Sequence, residues 1–186
     1  YHEHYNYWSL TSLVNFFNQF NSTIFKVEKI NTHGGSLRVY IKKGKKIKIE
    51  KNVKTFLKEE EIFGIKNYKT YQNFGNKINK LKESVIKNIK ELKKNNKKIV
   101  GFGAPAKATT ALNFFGISNQ IDYVIEDNKL KHNKFIPGVL IPIRDKKSLK
   151  EKNVLILVLA WNFYSEIKKN NSNLSNNFVN IKDLEK

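Results

Sequence analysis

Apolar positions change their spacing from segment to segment along the chain, and each change marks an element. Leu10, Leu13, Val14, Phe16 and Phe17 recur at helical spacing, which predicts an amphipathic helix over about Thr11 to Phe20. Two strand-like runs follow, "TIFKVEKI" (23–30) and "SLRVYIKK" (36–43). "NTHGG" joins them, and its Gly34-Gly35 pair gives the backbone the freedom a tight antiparallel connection needs, so the pair reads as a hairpin. Beyond a charge-rich connector, "KKGKKIKIEKNVK", a helical stripe of Tyr71, Phe74, Ile78, Leu81, Val85, Ile89 and Leu92 predicts one long helix from about Tyr68 to Lys94. The rest alternates: strand "KIVGFG", helix "AKATTALNFFG", strand "IDYVIED", a Pro-containing loop "NKFIPGVLIPI", buried strand "NVLILVLAW", helix "FYSEIKK" and strand "NFVNI".

Strands alternating with helices imply a parallel sheet with helices on both faces, a Rossmann-like α/β domain over 49–186. A helix and a lone hairpin bury too little to stand alone. Residues 1–48 are therefore expected to close a domain whose earlier strands lie upstream, and the chain to begin inside that domain.

Composition narrows the setting. The 186 residues contain neither Cys nor Met, so disulfides and thiolate metal sites are excluded, and a reducing, cytoplasmic setting is the simplest expectation. The longest apolar run, "VLILVLAW", falls far short of a membrane span, and no membrane partner is expected. A net charge of +19 invites a nucleic-acid reading. Yet the cations are almost all Lys, with only Arg38 and Arg144 as Arg, and they are spread among many Asn and Ile residues. That pattern reads as a composition bias, with no nucleic-acid partner expected. A positive field of this size steers small anions towards a pocket.

Ligands of such folds sit at the carboxyl ends of the strands, and three strand ends here carry polar or glycine-rich residues. "GFGAPA" (101–106) follows the G-x-G-x-x-A pattern between a strand and a helix, with Glu126 and Asp127 closing the next strand. Gly101 would permit a tight turn, Gly103 and Ala104 would offer close amides, and Lys107 would stand near a bound diphosphate. The same turn also occurs with no ligand. In "IEDNKLKHNKFIPG", Asp127 suits a ribose and Lys131 a phosphate, or both simply form a turn. In "AWN", Trp161 can stack on a base or sugar with Asn162 beside it, or belong to the core. At the start, "YHEH" offers a proton-transfer cluster: His titrates near neutrality, an acid can orient it, and Tyr can donate to a developing oxyanion. A metal reading of these His residues has no further supporting pattern.

Taken together, "YHEHYNYWSL", "HGGSLRVYI", "GFGAPAKATTALNFFGI", "DNKLKHNKFIPG" and "LILVLAWN" resemble the SAM-dependent C-methyltransferases that act on nucleotide-linked keto-sugars, and the resemblance touches nearly the whole chain. It implies an upstream zinc-binding domain and a domain holding S-adenosyl-L-methionine, of which residues 1–48 would be the last helix and hairpin. Residues 49–186 would be the carboxyl-terminal domain that helps hold a nucleotide-diphosphate sugar, with a dTDP-linked one as first choice. The resemblance also implies that His4 is the base beside the sugar's keto group, with Tyr1 near the enolate oxygen and Glu3 orienting substrate or base. His33, Ser36 and Arg38 match a motif as well, but a hairpin accounts for much of it. This chain alone is then expected to be inactive. Two other classes stay open: an NAD(P)-dependent oxidoreductase, resting on "GFGAPA" with Asp127, and a basic RNA-binding module.

Overall fold

A computed structural model describes residues 5–32, 35–95, 98–151, 154–175 and 177–186. The chain forms two compact units, one ending at Gly75 and the other spanning Asn76–Lys186, so the boundary falls within a long helix.

The first unit opens with α1 (Leu10–Gln19). Ser9 caps it: the Ser9 hydroxyl accepts from the Ser12 amide, and the Ser12 hydroxyl accepts from the Ser9 amide, both at 3.0 Å. This reciprocal pair satisfies helix-start donors that would otherwise be orphaned. Strands β1 (Ser22–Ile30) and β2 (Ser36–Lys43) pair antiparallel, with a register shift between Ile24 and Lys26. The bulge changes which parity faces inward, so Ile24 and Val27 are both buried although three positions apart. The Phe25 carbonyl, released from the ladder, accepts from the Glu50 amide at 2.9 Å.

Then comes α2 (Lys51–Phe63), a helix whose first residues fall in the stretch expected as a charged connector and which the periodicity did not predict. Its apolar residues Val53, Phe56 and Leu57 sit at helical spacing among charges, and they close a small core with Leu10, Ile24 and Val27. The compact unit thus includes α2 and the start of the next helix in addition to residues 1–48. Gly64, at φ 80°, ends α2 in the left-handed conformation that favours glycine.

The second unit takes its first helix from α3 (Tyr68–Asn95), whose Val85 and Ile89 are fully buried. The remaining elements are β3 (Ile99–Phe102), α4 (Ala106–Phe115), β4 (Tyr123–Glu126), β5 (Lys134–Phe135), β6 (Pro142–Asp145), β7 (Leu155–Val158), α5 (Tyr164–Asn170) and β8 (Phe178–Asn180). They build a six-stranded sheet in the order β5-β6-β4-β3-β7-β8, parallel except for β5 at one edge. Alternate residues bury into opposite layers. Ile99, Val124, Leu155 and Leu157 join Ala108 and Leu112 of α4 and the two α3 residues. Val100, Phe102, Ile125, Ile156 and Val158 form the other layer, with Tyr164 and Ile167 of α5 packed against it. The expected α/β architecture, a mostly parallel sheet flanked by helices and preceded by a helix and hairpin, is what the chain adopts.

The segment read as a Pro-containing loop supplies β5 and β6. Pro142 begins β6, a position where proline's missing N–H costs no ladder bond, and that short run masked a strand pairing parallel with β4. Among the described residues, no helix is long and apolar enough to cross a membrane.

Candidate functional site

At the carboxyl edge of the sheet the connections diverge: β3 leads through α4 to β4 on one side, and β7 leads through α5 to β8 on the other. Such a switch point leaves a crevice. Here it is a cleft of about 520 Å³, lined among others by Gly103, Glu126, Asp127, Lys131, Lys146 and Phe163. A larger groove of about 880 Å³ lies in the first unit between α1 and the end of α2, where the Gly64 turn lines it but no strand end does.

The glycines of "GFGAPA" are explained by packing. Gly101 lies inside β3, not in the turn, and a Cβ there would stand 2.8 Å from Val124 Cγ2 and 3.0 Å from Leu159 Cδ1. Gly103 holds φ 87°, and a Cβ on it would come within 2.9 Å of the Ala160 methyl. Its amide donates to the Ile125 carbonyl at 2.8 Å. The Ala104 amide donates to Glu126 Oε2, also at 2.8 Å. Both amides that the sequence offered to a diphosphate are therefore already bonded.

Glu126 is the centre of this corner. Its Oε1 accepts from the amides of Asp127 at 2.9 Å and Asn128 at 3.1 Å. Lys131 stands 3.4 Å from Oε2 while donating to the Ala104 carbonyl at 2.9 Å. Burial pushes the Glu126 carboxyl up, but the bonds from Ala104 and Asn128 and the nearby Lys131 ammonium outweigh it and hold the group below the usual carboxylate range. His132 donates from Nε2 to the Glu126 carbonyl at 2.7 Å, and its Nδ1 faces Asp145 at 3.8 Å, which fixes the loop after β4.

Of the residues expected to bind, Gly103, Asp127 and Lys131 line the cleft. Asp127 is exposed and ion-paired with Lys146 at 2.9 Å, so the more buried carboxylate at this strand end is Glu126. Lys107 lies in the first turn of α4, where helix geometry leaves the amides of Ala106 and Lys107 without an intrahelical acceptor. Trp161 packs against the core layer shared with α3 and α4, and Asn162 is exposed; neither lines the cleft. Tyr1, Glu3 and His4 lie outside the described residues. On the hairpin, Ser36 bonds the Thr32 carbonyl at 3.0 Å, and Arg38 stands 3.9 Å from Glu28, which accepts from the Tyr40 hydroxyl at 2.7 Å. These contacts knit the hairpin surface.

The sequence reading missed the Glu126 role, Lys146 and Phe163. Strand alternation held a signal for the first: Glu126 continues the parity of Val124, the face turned to α4, and so reaches Ala104.

A model of the family described as C-methyltransferase C-terminal domain matches residues 31–180. The chain is also 29% identical over 173 residues to the C-methyltransferase NovU of Streptomyces niveus, an alignment that takes in 91% of this chain and 41% of that protein. The chain thus spans less than half the length of this curated relative.

Proposed function

The chain belongs to the C-methyltransferase C-terminal domain family, and from that membership we propose that it is part of an enzyme that methylates the carbon beside the keto group of a nucleotide-linked deoxysugar, with His4 as general base. The observation that carries this reading is the family match over most of the chain, together with likeness to a C-methyltransferase.

Carbon becomes a nucleophile here only as an enolate. Forming one requires a base that is neutral near pH 7 and a donor for the developing oxyanion. His4 would take the proton, Tyr1 would donate to the oxygen, and Glu3 would orient the imidazole or the sugar. S-adenosyl-L-methionine, when bound, supplies the electrophilic methyl. The glycine turn after β3 does not fit that cofactor, because its amides are bonded to Ile125 and Glu126. We place the cofactor, and any zinc, in the part of the relative's length that this chain does not span. The nucleotide, dTDP by first choice, is assigned to the cleft at the carboxyl edge of the sheet. Support for that assignment comes from the switch-point position and from Asp127, Lys131 and Lys146 at its rim.

The test uses the protein encoded by the whole reading frame, with methyl-labelled S-adenosyl-L-methionine and a dTDP-linked keto-deoxysugar. Labelled sugar is expected, and His4→Ala should lower turnover by roughly 100- to 10,000-fold while nucleotide-sugar affinity stays within a few fold. His2→Ala is the control with the smaller effect. Wild-type turnover in the His4 variant would refute the base assignment, and absence of labelled sugar would refute the substrate.

A further inference from the structure

We infer that Glu126 determines which end of a ligand the strand-end cleft accepts: its carboxylate fills the glycine turn as a built-in anion and keeps a diphosphate out of it. The inference rests on the proposal that a nucleotide occupies this cleft.

A phosphate entering a glycine turn needs the N–H groups of that turn. The Gly103 N–H is committed to the Ile125 carbonyl at 2.8 Å, and the Ala104 N–H to Glu126 Oε2 at 2.8 Å. An ionised carboxylate offers about four lone-pair sites. Glu126 spends its own on the amides of Ala104, Asp127 and Asn128 and on the Lys131 ammonium. It therefore has no free site for a ribose hydroxyl, and it cannot swing away without stranding those donors. A phosphate drawn to the same donors would also meet a fixed negative charge.

The rim differs. Among the described residues Lys146 pairs with Asp127 alone, and both side chains are about half exposed, so an incoming anion can exchange for that carboxylate at little cost. On the α5 side the cleft is lined by the rings and methyls of Phe163 and Ile167 together with Glu166, Asn170 and Asn171, a wall with apolar and hydrogen-bonding groups and an acid but, among the described residues, no cation. The arrangement sorts a nucleotide by charge: the phosphates stay at the rim by Lys146, and the uncharged nucleoside end meets the α5 side, where Phe163 and Ile167 offer apolar contact, Asn170 and Asn171 offer hydrogen bonds, and Glu166 repels a phosphate.

Residue-resolved NMR titration of the 186-residue chain tests this, because a chain of net charge +19 binds anions at many surface Lys residues and only the Ala104 amide reports the turn. The probes are inorganic pyrophosphate and dTDP, on the wild type and on Glu126→Gln, which keeps the size of the side chain but removes its charge and one of its acceptors. In the wild type, neither probe should shift the Ala104 amide, while dTDP should shift amides around Phe163 and Lys146. In Glu126→Gln, pyrophosphate should titrate the Ala104 amide at least tenfold more tightly than in the wild type. A wild-type Ala104 amide that titrates with pyrophosphate, or a folded Glu126→Gln protein with no gain, overturns the inference. Should the variant lose its dispersed spectrum, the wild-type response decides alone. Failure of dTDP to shift any cleft amide counts against the nucleotide reading, and the pyrophosphate comparison still judges Glu126.

Discussion

Removing the Glu60 carboxylate tests what fixes the start of α1. Glu60 reaches across from α2 and accepts from the amides of Leu10 and Thr11, both at 2.7 Å, and from the Thr11 hydroxyl. Those amides sit in the first turn, where no intrahelical acceptor exists and where the helix dipole favours a negative charge. A hydrogen bond to a charged group contributes about 1.5–3 kcal/mol, but the freed amides can be hydrated, and loss of a helix cap costs roughly 0.5–2 kcal/mol. The Ser9–Ser12 capping pair stays in place. Glu60→Ala is therefore expected to destabilise the first unit by about 2 kcal/mol, and Glu60→Gln, which keeps one acceptor, by about 1 kcal/mol.

Trp8 lies in the first unit and Trp161 in the second, so a Trp161→Phe background leaves Trp8 fluorescence as the reporter. With a urea slope of about 1–3 kcal/mol per molar, the midpoint should fall by roughly 1 M in the Ala variant. Glu61→Ala is the control, expected to change stability by less than about 0.5 kcal/mol. A Glu60→Ala midpoint within error of the wild type would show that the bridge from α2 carries no stability and that α1 is held by its apolar face alone.

Gly103→Ala forces a side chain onto a backbone at φ 87° and against the Ala160 methyl, so a loss of about 2–4 kcal/mol is expected in thermal unfolding. Ala160→Gly in the same chain should recover the packing share of that loss but not the backbone share. Stability should also track pH through Glu126, whose carboxyl is held below its reference value of 4.5 by amide bonds and Lys131 against the opposing effect of burial. A lowered folded-state pKa contributes stability that is present above the unfolded value and lost as pH falls through the folded one. The stability gap between wild type and Glu126→Gln should accordingly be widest at neutral pH and shrink below about pH 4.5; a gap that grows on acidification would contradict the bonding described. Leu112→Ala, at a fully buried position, should cost about 2–5 kcal/mol, whereas Leu130→Ala, at an exposed one, should cost less than about 0.5 kcal/mol in the same assay.

Much of the fold could be read from periodicity because its elements bury one clean face or two. The stripe from Tyr71 to Leu92 gave α3, and the unbroken apolar run from Val154 to Leu159 gave a central strand buried on both faces. Elements hidden by their own chemistry were missed. Charges surround Val53, Phe56 and Leu57, so α2 looked like a linker until its partners Leu10 and Ile24 were in place. Pro142 disguised β6, whose only buried residue, Ile143, gives no alternation to detect. For the site, spacing pointed to the ends of β3 and β4, where a cleft lies, but could not choose between two consecutive acids.

That choice turns on what a glycine spacing can report. G-x-G-x-x-A records where side chains are not tolerated, and a ligand is one of several neighbours that can impose this. At Gly101 the neighbours are Val124 and Leu159, and at Gly103 the neighbour is Ala160. Close packing of β3 against its flanking segments thus accounts for both glycines with no phosphate present. What distinguishes a phosphate cradle is an unspent set of amides, and sequence cannot show whether amides are spent. Here Glu126 spends the one at Ala104. A chain with this spacing and a side chain too short to reach residue 104, as Glu126→Ala would create, should behave in the opposite way, with the Ala104 amide exchanging faster with solvent hydrogen and responding to pyrophosphate. Unchanged exchange at Ala104 in that variant would mean that the turn is closed by its backbone geometry rather than by the carboxylate.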